Sequence, residues 1–189
     1  EILLDAGADP NLVSEWVAKN TQAPLPETTA LAEALENGHL SIARVLLARG
    51  ATPDSVSVAI AGGLEDLSLL QQMHASGAKL NDNPGNMYHY SAMREACHHG
   101  RIANVRWLME QGVSADVNDL KSAVGQSHFD LVRLLIQSGE GRSRFSQQAL
   151  SEAFVFAATK RNPGPNPKEG LRIIEYLLAQ GADPQFRPD

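Results

Sequence analysis

Apolar residues in this chain recur in short helical stripes, and each stripe closes in the same way. Leu40, Ala43, Leu46 and Leu47 follow the i, i+3, i+6/7 spacing of one buried helical face. The stripe then runs into Gly and a small, polar turn. That phrase occurs as Ile2-Leu3-Leu4-Asp5-Ala6-Gly7-Ala8-Asp9-Pro10 and as Val45-Leu46-Leu47-Ala48-Arg49-Gly50-Ala51-Thr52-Pro53. It returns around Gly77, Gly112 and Gly139, and as Tyr176-Leu177-Leu178-Ala179-Gln180-Gly181-Ala182-Asp183-Pro184. The six glycines are 43, 27, 35, 27 and 42 residues apart, averaging about 35, which is the scale of a helical repeat array. Gly just past a helix end takes the left-handed conformation without a Cβ penalty, and Pro shortly after prevents the helix from continuing. A shorter helix precedes each stripe: Thr29–Ala34 before Gly38, Ser91–Ala96 before Gly100, and Asn118–Ala123 before Ser127. The Thr, Ser or Asn at its start is a helix cap, and its alanines let two helices approach closely. The pattern predicts an all-α chain with a partial repeat over 1–10 and helical pairs at about 29–50, 54–77, 91–112, 118–139 and 147–181. These form a single domain over 1–189.

The motifs carry a family resemblance. The segment from Gly38-His39-Leu40 through Pro53 is similar to the second-helix and turn motif of ankyrin repeats. The family's first-helix motif, Thr-Pro-Leu-His-x-Ala, is degraded here, with Ala30 for Pro and Ala32 for His. The period and the Gly-Ala-Asp-Pro turns disfavour another α-solenoid such as a TPR-type stack. The resemblance spans essentially the whole chain. It implies an ankyrin-repeat solenoid of stacked helix-turn-helix pairs, joined by fingers that bind partners together with the inner helices.

Finger length is irregular. Gly50 to Asp54 and Gly112 to Asn118 are too short for a hairpin, so tight turns are expected there. Gly77 to Ser91 and Gly7 to Thr29 are long. In the latter, Leu12, Val13, Trp16 and Val17 share one helical face, which predicts a short extra helix. Trp16 is either a recognition anchor or the residue pinning that helix to the stack. The other long connection holds Met87, Tyr88, His89 and Tyr90, side chains suited to adaptable contacts or to packing on the next repeat. The Lys160–Lys168 segment, with three prolines, reads as a stiff solvated insertion.

The densest polar cluster is Cys97-His98-His99. By the repeat alignment Cys97 is buried between helices, while His98 and His99 end the inner helix on the binding face with Arg94 one turn before. Adjacent histidines on a helix diverge by about 100° and do not readily share a metal, so no metal site is assigned. The equivalent positions are Glu36 and Asn37, Ala61 and Gly62, and Gly125 and Gln126. The expected partner-binding residues are therefore Trp16, Glu36, Asn37, Met87, Tyr88, His89, Tyr90, Arg94, His98, His99 and Gln126. No catalytic set or cofactor motif is discernible, and Glu65-Asp66 reads as the start of a helix. The chain is expected not to be an enzyme by itself.

Composition narrows the partners. Lys and Arg number 16 against 22 Asp and Glu, for a net charge of −6. That balance supplies no basic footprint for nucleic acid and favours a protein partner with a basic surface. No apolar run is long enough for a membrane span. A single cysteine rules out an internal disulfide or a multi-thiolate zinc site. Ile2-Leu3-Leu4 at one end, and the broad apolar surface of Leu171–Leu178 at the other, suggest a piece of a longer chain or surfaces covered by a partner. Two roles fit the resemblance: an interaction module, such as a toxin inhibitor or a secreted effector of bacterial type, or the recognition arm of a larger enzyme.

Overall fold

The computed structural model describes residues 2–14, 28–82, 91–137, 145–159 and 166–187. They form two compact units, one comprising 1–62 and 66–92 and the other 63–65 and 93–189.

The first unit begins with α1 (Ile2–Asp5), followed by β1 (Val13–Ser14) and β2 (Thr28–Thr29). The two strands pair antiparallel, Val13 opposite Thr29 and Ser14 opposite Thr28. Val13 is therefore extended, not part of the expected helix over Asn11–Val17. Leu12 and Val13 are 68% and 45% exposed. Their apolar spacing reflects a finger base rather than a buried helical face. Thr29 ends the strand and caps α2 (Ala30–Glu36), its Oγ1 accepting from the Ala32 N–H at 3.1 Å. The same hydroxyl donates to Asp54 Oδ2 at 3.0 Å. Asp54 in turn accepts from the Ser57 N–H and hydroxyl at the start of α4 (Ser55–Gly63).

Within the unit α2 packs on α3 (Leu40–Ala48), burying Leu31, Ala32, Ala34 and Leu35 against Ala43, Leu46 and Leu47. α5 (Leu67–Ala75) starts at the N-cap Asp66, which accepts from the Ser68 N–H and hydroxyl and pairs with Arg44 on α3. Those hydrogen bonds, chiefly from the Ser68 hydroxyl, hold the Asp66 carboxyl below its usual range. The expected helix start at Glu65-Asp66 is thus realised at Asp66.

Among the described residues, each Gly phrase is a closed helix end. The Ala51 N–H returns to Leu46 O at 2.9 Å and the Gly50 N–H to Leu47 O at 3.2 Å, with Gly50 at φ +87°. That pair of bonds satisfies carbonyls the helix would leave open. The same two bonds recur after α2, α5, α7, α8 and α11. The turn of one repeat is also tied to the next: Asn11 Nδ2 donates to Gly50 O, and Asn11 Oδ1 accepts from the Thr52 N–H.

The second unit holds, from Met93 onward, α6 (Ala92–His98) with α7 (Ile102–Glu110), α8 (Val117–Gly125) with α9 (Phe129–Gln137), and α10 (Gln147–Thr159) with α11 (Pro167–Ala179). Its core is Met93, Leu108, Leu120, Leu131, Leu135, Ile136, Leu150, Ile173 and Leu177, with Ala96, Ala123 and Ala153 fully buried where helices approach. Residues 63–65 belong here because Arg101 Nε donates to Gly63 O at 2.8 Å and the buried Asn104 to Leu64 O at 2.9 Å. α8 begins one residue before the expected Asn118. Asp116 caps it, accepting from the Asn118 and Asp119 N–H groups, while Asp119 Oδ2 accepts from the Asp116 N–H. This reciprocal box satisfies more donors than an Asn118 cap could. Apolar surface remains open on the last pair, where Phe156, Leu171 and Leu178 are 38%, 63% and 39% exposed. An apolar recess of about 270 Å³ lies there, lined by Val124, Ala157, Pro167, Gly170, Leu171, Ile173 and Ile174. Among the described residues no helix is long and apolar enough to cross a membrane.

Candidate protein-binding surface

The last residue of a first helix and the one after it hold equivalent places in the pairs, and most of those described reach solvent. Glu36 and Asn37 hold these places in the first unit, both exposed, with Asn37 Nδ2 donating to Glu33 O at 2.8 Å. In α4 the equivalent residues are Gly63 and Leu64, not the expected Ala61 and Gly62, which are buried. Gly62 lies so near the start of α6 that a Cβ would stand 2.4 Å from Ala92 O. The shift is two residues, because α4 runs on through Gly63 before it ends.

In the second unit the same places are His98 and His99 on α6, and Gly125 and Gln126 on α8. Gly125 is buried; the other three are reachable from solvent. Gln126 Nε2 lies 3.2 Å from Nε2 of His98. It is also 3.4 Å from Nδ1, and an amide N–H can only donate, so the ring is the acceptor in this contact. The His98 and His99 rings meet edge to face, with centroids 5.1 Å apart. A third imidazole joins them: His128 Nε2 donates to the His98 carbonyl at 3.1 Å. Sequence reasoning missed His128. It occupies the position of His39 in the Gly38-His39 signature, which marks it as a repeat position beside the helix end.

Two glycines make room for these rings. A Cβ at Gly100, which sits at φ +68°, would lie 2.7 Å from His128 Cε1, and one at Gly63 would lie 2.8 Å from His99 Cδ2. Ser127 stands where Gly38 and Gly100 stand and takes the same left-handed backbone, at φ +61°. Partial burial, then the neighbouring His98, hold the His99 ring below the usual histidine range, against the pull of Glu95 3.7 Å away. Arg101 donates to Glu65 at 2.9 Å beside them.

Behind this platform the α6–α8 contact is ionic. Arg94 lies 3.3 Å from Asp119 and 3.4 Å from Asp116, and only 19% of its side chain is exposed. Arg94 thus joins α6 to the cap of α8. Burial outweighs the Arg94 guanidinium and pushes the Asp119 carboxyl up to about 6. Cys97 is fully buried, and burial lifts its thiol well above the usual range, which removes nucleophilic character. Among the described residues no group of three or more His, Cys, Asp or Glu side chains is arranged to hold a metal ion. Trp16, Met87, Tyr88, His89 and Tyr90 lie outside the described residues.

Comparison with known proteins finds the same repeat. The family described as Ankyrin repeat matches residues 27–58, the segment running from β2 into α4. The fold is similar to that of the human ASB11 ankyrin repeat domain, with a TM-score of 0.58 and 19% identity over 82% of this chain and 71% of that one. Residues 27–58 are thus an ankyrin repeat, and the chain shares the fold of an ankyrin-repeat domain. No curated protein matches it. The mostly helical architecture is that of the ankyrin-repeat solenoid. Ankyrin repeats generally mediate protein–protein interaction and are typically non-catalytic.

Proposed function

We propose that this ankyrin-repeat chain is a binding module, not itself an enzyme, that recognises a partner protein through the ends of its first helices. Glu36 and Asn37 in one unit, and His98, His99 and Gln126 in the other, are the contact residues. The Met87–Tyr90 segment and Trp16 add to them, and Arg94 supports the platform from behind. The observation that carries this reading is the display of polar side chains at one repeat position, at the closed ends of α2, α6 and α8, a preorganised surface that costs little entropy to bind. Charge adds direction. Of the 22 acidic and 16 basic residues, ten and four fall in the first unit, which therefore holds the whole net charge of −6. A partner with a basic surface is steered toward that unit. Inhibition of a toxin by plugging its active site, or an effector role, are the specific forms this takes.

Affinity capture with the chain as bait, followed by mass spectrometry, tests the proposal. One near-stoichiometric protein is expected, and its affinity is expected to fall on Glu36→Ala, His98→Ala and Tyr88→Ala substitution. Capture of nothing above background from source cells would overturn it. The exposed Phe156, Leu171 and Leu178 favour a second reading, the recognition arm of a larger enzyme. Activity co-purifying on the same natural polypeptide distinguishes that reading.

A further inference from the structure

The second unit differs from the first in charge. Its twelve acidic and twelve basic residues cancel, so near neutral pH it offers a cation no net attraction. Its exposed helix ends instead gather three imidazoles. His98 and His99 are in ring contact, and His128 is anchored to the backbone of His98. Among the described residues, the charged groups facing them from the packed elements are Glu95 beside His99, the Arg101–Glu65 pair, and Arg94 with Asp116 and Asp119. Protonation of all three imidazoles therefore turns a patch that carries about two negative charges into one that is net positive. It also ends the Gln126-to-His98 bond, because a protonated ring has no lone pair to accept with. The Gln126 amide is then free to turn its carbonyl toward the ring and its N–H₂ toward a ligand.

We infer that the His98–His99–His128 platform, with Gln126, is a docking surface for a carboxylate-rich peptide segment of a partner protein, engaged when the surroundings acidify. This rests on the proposed role of the helix ends as contact positions. A carboxylate row is the ligand that three imidazolium N–H donors and one amide satisfy with charge-assisted bonds. It is a contact of opposite sign to the basic partner surface drawn to the first unit.

The test is fluorescence anisotropy of a labelled ten-residue oligo-aspartate peptide with the whole chain at pH 5.5 and 7.5, at one ionic strength. Binding is expected to tighten several-fold from pH 7.5 to 5.5, with about tenfold the ceiling for each imidazole whose proton is held one unit more tightly in the complex. The His98→Gln/His99→Gln/His128→Gln variant should lose that gain, and Asp119→Asn should keep it. Circular dichroism at both pH values establishes that each variant is folded. Equal affinity at the two pH values, or a gain that survives the triple variant, overturns the inference. An equal gain with a single-stranded oligonucleotide of matched length overturns the assignment to a peptide. A protein captured at pH 7.5 separates the two levels. If it binds helix-end variants as tightly as the wild type, the proposed contact positions fall. If it is lost from them while the peptide shows no pH response, only the acid-engaged contact falls.

Discussion

Gly62 and Gly63 end the same helix, and helix propensity alone predicts that alanine at either position is stabilising, by up to about 1 kcal/mol. The structure separates them. A Cβ at 62 would lie 2.4 Å from Ala92 O, 2.7 Å from its Cα and 2.8 Å from its carbonyl carbon. All three are backbone atoms, so relief requires the backbones of Gly62 and Ala92 to part by about 1 Å, where Ala61 and Ala92 are fully buried. Overpacking of this kind costs about 1–3 kcal/mol. Gly62→Ala is therefore expected to lose about 1–2 kcal/mol net. A Cβ at 63 meets only the His99 ring, at 2.8 Å from Cδ2. That ring is half-exposed and turns aside, so Gly63→Ala is expected to be neutral or stabilising by up to about 1 kcal/mol. Urea unfolding of the two variants beside the wild type reads the difference as a shift in midpoint at constant slope. A Gly62→Ala chain as stable as Gly63→Ala would refute the packing argument.

Other predictions follow from the charged and capping groups. The Asp119 carboxyl titrates near 6 in the fold against 3.8 unfolded, so the folded state holds the extra proton between those values. Its contribution makes the protein more stable as pH falls through 6, by up to about 3 kcal/mol. The stability of Asp119→Asn relative to wild type should accordingly rise between pH 4.5 and 7.5 in chemical denaturation, and a flat difference would contradict the burial argument. Arg94→Ala leaves that carboxylate buried beside Asp116 and should cost about 3–5 kcal/mol at pH 7.5. The loss should be smaller at pH 5, where Asp119 is neutral. Thr29→Ala removes the α2 cap and the bond to Asp54 and should cost about 1–2 kcal/mol by thermal or urea unfolding.

What the sequence discloses depends on how local the deciding interaction is. The Gly phrases were legible because two backbone bonds and one left-handed residue, all within six positions, close each helix. The same holds for the capping role of Thr29 and the burial of Cys97. Val13 was misread because its strand is decided by Thr29, across a long connection, while its neighbours mimic a helical stripe. The α8 start was ambiguous between Asp116 and Asn118, both good caps, and only the reciprocal bond to Asp119 selects one. The end of α4 slipped because Gly62 and Gly63 look alike in sequence and differ only in what lies above them. His128 entered the platform through a contact with the backbone of the preceding repeat, which no local pattern announces.

Binding through the first-helix ends is the central claim, and the most direct measurement is the affinity of the captured partner, by calorimetry at pH 7.5, for two sets of variants. One set alters the helix ends, as Glu36→Ala and His98→Ala/Gln126→Ala. The other alters the α7–α9 groove, a cleft of about 440 Å³ on the second helices, as Arg106→Ala and Gln137→Ala. The account predicts that affinity falls at least about tenfold in the first set, the size of a modest interface contact, and is unchanged in the second. Loss confined to Arg106→Ala and Gln137→Ala would contradict it.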